Sequence, residues 1–67
     1  MTLSQKFSHN LRHERTRKRL SQLQLGRRAG VSTSYVSMLE RNRRKPPLQT
    51  LERIARALKV TPGTLLH

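Results

Sequence analysis

The chain contains no cysteine and no aspartate, and its only acids are Glu14, Glu40 and Glu52. Without cysteine, neither a disulfide nor a thiolate metal site can stiffen a 67-residue chain, a length near the lower limit for an unassisted fold. The shortage of acids is as restrictive. No Ser-His-acid set and no paired carboxylates at acid–base spacing can be assembled, so catalysis is not expected. His9 and His13 lie four apart on a predicted helix, and His67 stands alone. With no third ligand at suitable spacing, all three read as solvated, and neither metal nor cofactor is expected. No run approaches the roughly 18 apolar residues of a membrane span. Met1–Phe7 also lacks the apolar run of a signal peptide, so a cytoplasmic location is expected.

What the chain has in excess is positive charge. Fifteen Lys and Arg give a formal net charge of +12. Acidic partners are the direct implication, and nucleic acid is the commonest of them. Most of the fifteen are arginine, whose planar fork suits bidentate contacts to phosphate and guanine. The hydrophobic third of the chain is arranged in helical periods, with no strand alternation, internal repeat or low-complexity linker.

Residues 21–42 carry the densest local signal. Ser21 is a good N-cap, Gln24 stands where its side chain reaches back as a capping box, and Leu20 with Leu25 forms a hydrophobic staple. The pattern recurs at Ser32, with Val31 and Val36 as the staple. Ala29-Gly30-Val31 gives a small-residue turn in which Gly30 takes a left-handed φ at little steric cost. The spacing leaves room for a helix of about two turns and a turn of about three residues, the dimension of a helix-turn-helix. On so basic a body, that geometry points to reading a DNA groove.

Around this unit, Leu3, Phe7 and Leu11 predict a first helix over about 4–18 with one apolar stripe. The second runs about 21–29 and the third about 32–41, ended by Asn42, which tolerates left-handed φ. Pro46 and Pro47 close the basic loop Arg43-Arg44-Lys45. A fourth helix over about 48–58 turns Leu48, Leu51, Ile54, Ala55 and Leu58 to one face. Thr61 and Pro62 read as N-cap and N1 of a short fifth. The expected architecture is all-α, a single domain over residues 1–67 made of five short helices.

With these segments in place, the chain resembles the Cro/repressor helix-turn-helix family of phage and bacterial regulators, the Xre type. Its small members include the controller proteins of restriction–modification systems. The carrying motifs are Leu11-Arg12-x-x-Arg15, Leu20-Ser21-Gln22-x-x-Leu25, Ala29-Gly30-Val31-Ser32, Tyr35-Val36-Ser37-x-Leu39-Glu40-Arg41 and Thr50-Leu51-x-x-Ile54-Ala55-x-Ala57-Leu58. They span roughly residues 7–66 and imply a lambda-repressor-like bundle. Three positions depart from the pattern. Gly26 replaces a usual alanine, at about 1 kcal/mol of helix propensity. Asn42 replaces a usual glycine, and Pro47 stands where Ser often caps the fourth helix.

The resemblance implies roles. Thr33, Ser34, Ser37 and Met38 would face the bases; the hydroxyls donate or accept, and the Thr33 methyl suits a thymine methyl. Gln22 would hold a phosphate and brace the third helix. Arg41, Arg43 and Arg44 would lie along the backbone, with Arg17 and Lys18 as weaker candidates. Arg15 and Glu40 would form a structural ion pair. Tyr35 would pack its ring under the helix and reach a phosphate with its hydroxyl.

The expected function is sequence-specific double-stranded DNA binding by a transcriptional regulator, without a small-molecule ligand or membrane. A homodimer on a two-fold operator is expected, since one recognition helix covers only about half a dozen base pairs. The resemblance puts the dimer contact at Val60, Leu65 and Leu66. An antitoxin that binds a toxin and autoregulates through DNA is the alternative, to which an exposed Leu23 or Leu66 would suit. A non-specific nucleic-acid packer would leave both ordered helix starts unexplained.

Overall fold

Four of the five helices begin on a hydroxyl that caps them. In the computed structural model, which describes residues 1–67, the Thr2, Ser21, Ser32 and Thr61 hydroxyls accept from the backbone N–H three residues on. At Thr2 and Ser21 the reciprocal bond from Gln5 or Gln24 completes a capping box. The helices that follow are α1 (Leu3–Arg17), α2 (Gln22–Ala29), α3 (Thr33–Glu40), α4 (Leu48–Leu58) and α5 (Pro62–Leu66). There are no strands, and the all-α, five-helix architecture is the one the sequence implies. Only α4 starts without a side-chain cap, because Pro47 occupies its N-cap position.

Helix ends follow a second rule. Arg19, Gly30, Asn42 and Lys59 all take left-handed φ, near 58° to 75°. Each is followed by a backbone N–H that reaches a carbonyl five residues back: Leu20 to Arg15, Val31 to Gly26, Arg43 to Met38 and Val60 to Ala55. This is the Schellman closure, which satisfies carbonyls that a helix end leaves free. Asn42 and Gly30 were legible as such ends. Arg19 and Lys59 were not, since neither residue type favours that conformation.

The core is a single cluster in which Leu11, Leu25, Val36, Leu39, Ile54, Leu58 and Leu65 are completely buried. Every helix contributes to it, which explains how so short a chain stays folded without staples. Two expectations about apolar faces need correction. Leu3 and Leu48 each lie on a predicted apolar stripe yet are 60% and 71% exposed, each at the first position of its helix. Gly26 is also better explained by the fold than by propensity. A Cβ there would meet the Val31 carbonyl oxygen at 2.7 Å, so the missing side chain lets α2 close on the turn.

Candidate nucleic-acid interface

α3 is held from behind and open in front. Behind it, Glu40 accepts from Arg15 Nε at 2.6 Å and Nη2 at 3.0 Å, a bidentate pair, and from Gln22 Nε2 at 3.2 Å. Arg15 Nη1 also donates to the Leu20 carbonyl at 2.7 Å. The two side chains are only 12% and 4% exposed. Hydrogen bonding to Glu40 raises the Arg15 pKa above its ordinary value, with burial opposing. One buried network thereby joins α1, the start of α2 and the end of α3, and fixes the angle of α3 on the body.

In front, the Ser32 hydroxyl makes the cap, leaving Thr33 and Ser34 exposed at the first turn. Ser37 and Met38 are half-buried one turn later, and Tyr35 is half-buried against the core. At the far end, Arg41 Nε leans to the Ser37 carbonyl at 3.4 Å. Arg43 and Arg44 are exposed on the loop that Asn42 and the two prolines shape. The structure therefore brings Thr33, Ser34, Ser37, Arg41, Arg43 and Arg44 to one helix and the loop that follows it.

Other assigned residues are placed differently. Gln22 is partly committed to Glu40, although its amide keeps a second N–H and its carbonyl oxygen. Arg17 donates to Glu14 at 2.8 Å, and this bond, the largest cause, lowers the Glu14 pKa. The Arg17 side chain remains 57% exposed and uses only Nη2 in this bond. Lys18 donates to the Leu58 carbonyl at the end of α4 and so has a structural role. Leu65 is completely buried and closes the core against α1 and α4, so it offers no surface to a second copy. Val60 and Leu66 pack against that core but remain partly exposed. Leu66 lines a groove with Leu3, Phe7, Pro46 and Leu51.

Several anchoring residues escaped the sequence reading. Ser8 Oγ donates to the Leu39 carbonyl at 2.7 Å, and Asn10 Nδ2 to the Leu65 carbonyl at 3.1 Å. Arg53 donates to the Ala29 and Gly30 carbonyls at the end of α2. Nothing in the local sequence marks them, since each partner is more than 20 residues away.

The comparisons agree with this geometry. A helix-turn-helix family model matches residues 11–65. An uncharacterized HTH-type transcriptional regulator of Mycobacterium tuberculosis is 42% identical over 55 residues, 82% of this chain and 39% of the relative. The chain thus spans about two fifths of the length of that curated relative. The restriction–modification controller protein C.AhdI of Aeromonas hydrophila superposes with a TM-score of 0.89 at 39% identity, covering 92% of this chain and 94% of C.AhdI. The P22 c2 repressor, solved with a synthetic operator, gives 0.85 at 30% identity, covering 90% and 91%. With its capped helix pair, its five-helix core and these likenesses, the chain belongs to the Xre-type helix-turn-helix family of transcriptional regulators.

Proposed function

We propose that this chain is a sequence-specific regulator that grips double-stranded DNA with α3 in the major groove, working by binding alone. The observation that carries the reading is the short, exposed hydroxyl face of α3, locked at its back by Arg15, Glu40 and Gln22. The operator in the P22 c2 complex supports it by likeness. Short hydroxyls read base edges weakly, so groove shape and the arginines after α3 carry part of the selectivity. A net charge of +12 makes binding strongly salt-dependent. If six to ten phosphates are neutralised, affinity falls by roughly 10³ to 10⁵ between 50 and 200 mM salt.

Selection from a random DNA pool tests the reading. A recurring motif is expected, and Arg43→Ala should weaken binding to every sequence alike. A pool that yields no preferred site would leave only non-specific packing.

The regulator acts as a homodimer on a two-fold operator, with recognition helices about 34 Å apart on half-sites roughly one turn apart. The partly exposed Leu66 and the groove it shares with Leu3, Phe7, Pro46 and Leu51 form the apolar face that suits a second copy. Sedimentation should show dimer at micromolar concentration, with Leu66→Glu shifting it to monomer and weakening operator binding. A wild-type protein that stays monomeric on its selected site would rule this arrangement out.

A further inference from the structure

Leu23 belongs neither to the core nor to the face that α3 turns outward. It is 48% exposed on α2, although its type favours the interior. Positions i+4 and i+7 from it on the same helix face are Arg27 and Gly30. The stripe that shows Leu23 therefore runs, one turn later, into a basic cleft that both of these residues line.

The cleft, of about 460 Å³, lies between the end of α2 and α4, with Arg27, Arg28, Arg53 and Arg56 around the small residues Ala29, Gly30 and Ala57. Arg53 is held in place there. Its Nε and Nη2 donate to the Ala29 carbonyl at 3.1 and 2.9 Å, and Nη2 also to the Gly30 carbonyl at 2.9 Å. Its Nη1 keeps two N–H groups to offer. Arg27, Arg28 and Arg56 are exposed. No acid lines the cleft, and both salt bridges of the molecule lie elsewhere. Glu52, one turn before Arg56, lines the neighbouring hollow instead. Four guanidiniums without a counter-charge repel one another, and an acidic partner relieves that repulsion.

Charge alone suits any polyanion, and the apolar stripe decides among them. A phosphate chain or a small anion has no hydrocarbon side chain with which to cover Leu23. Protein contacts, by contrast, combine a buried apolar anchor with arginine. We infer that Leu23 and the arginine cleft form a docking surface for an acidic protein segment. An apolar side chain of that segment packs on Leu23, and carboxylates one turn along it take the guanidinium N–H groups of the cleft. This surface shares no residue with the one proposed for the duplex, so either can fail without the other.

Two labelled polyglutamate peptides of equal charge test the surface, one with leucine at every fourth position and one with serine there. Each is titrated by fluorescence anisotropy against the full chain, Leu23→Ser and two triple variants of equal charge loss. One triple variant is Arg27→Gln/Arg28→Gln/Arg56→Gln in the cleft, and the other is Arg41→Gln/Arg43→Gln/Arg44→Gln after α3. Arg53 is left intact because it holds the end of α2, and circular dichroism checks that each variant is folded. The unaltered chain should bind the leucine peptide roughly fivefold more tightly than the serine peptide, and Leu23→Ser should abolish that difference. The cleft variant should weaken both peptides roughly tenfold through the loss of three exposed ion pairs. The variant after α3 should leave both near the unaltered affinity at physiological salt, where charges farther apart than about 8 Å are screened. Equal weakening by the two triple variants would overturn the inference, because the peptides would then sense net charge alone. A leucine preference that is absent, or that survives Leu23→Ser, would overturn it by removing the anchor. A random duplex titrated in parallel decides the remaining occupant: if the cleft variant weakens it as much as the variant after α3 does, the cleft serves nucleic acid and the inference fails.

Discussion

On its inward side α3 buries Val36 and Leu39 completely and ties Glu40 to Arg15 and Gln22, whereas on its outward side Thr33 and Ser34 stand in solvent. The inward side consists of groups whose replacement leaves a cavity or strands a partner: two apolar side chains in the core and a carboxylate facing a guanidinium. The outward side consists of groups on which nothing else in the fold depends. On the proposed reading, orientation and selectivity fall on opposite faces of the same eight residues, and the outer face can change without disturbing the inner one.

The strongest way to break this contrast is Glu40→Ala. It leaves the Arg15 charge largely buried and unpaired, a loss expected to cost about 3–5 kcal/mol. Urea unfolding would measure it, and a cost below about 1 kcal/mol would show that the inner face is less committed than its geometry implies. Gly26→Ala acts on the turn that leads into α3. Alanine regains about 1 kcal/mol of helix propensity. It also drives a Cβ to 2.7 Å from the Val31 backbone oxygen, where overpacking costs roughly 1–3 kcal/mol. A net destabilisation of about 1 kcal/mol is expected, and any stabilisation would contradict the close approach.

The contrast between prediction and outcome follows the range of the interactions involved. Helix starts were legible because Ser21, Gln24 and Ser32 act within one turn of their own positions. The helix-turn-helix spacing was legible for the same reason. The pairing of Arg15 with Glu40 came only through family likeness, since nothing local links residues 25 apart. The exposure of Leu48, the burial of Leu65 and the commitment of Lys18 to Leu58 were beyond reach. Each depends on which helix lies opposite, and periodicity alone does not specify that. On the candidate site, the exposure of Thr33, Ser34, Arg43 and Arg44 matches the sequence reading, whereas the arginines gathered around the end of α2 come from two helices and show as a cluster only once folded.

Acid sharpens the comparison in a milder way. The bond from Arg17 holds the Glu14 pKa below its ordinary value of 4.5. A depressed carboxylate stabilises the fold fully above its unfolded pKa, and that contribution is lost as pH falls through the folded value. Unfolding free energy should therefore be flat near neutrality and decline below about pH 4.5, with Glu14→Gln removing part of the decline. A wild-type profile that matches the Glu14→Gln profile would show the pair to be idle. The smallest stability effect belongs to the outer face. Ser34→Ala and Ser37→Ala should each move stability by less than about 0.5 kcal/mol while changing base preference in gel shifts. Equal losses on every sequence would remove these serines from base reading.

The long-range bonds to helix ends carry one more consequence. Side chains of α1 and its C-cap hold the terminal carbonyls of α3, α4 and α5 through Ser8, Lys18 and Asn10, and Arg53 of α4 does the same for α2. No helix except the first can therefore fray at its end without releasing a group that belongs to another. Amide exchange should accordingly offer few partial openings: the slowest protons of α3, α4 and α5 should share one opening free energy, equal to that of global unfolding. On the proposed reading, α3 coupled in this way reaches the duplex as a finished surface, and ordering it on contact takes nothing from the binding free energy.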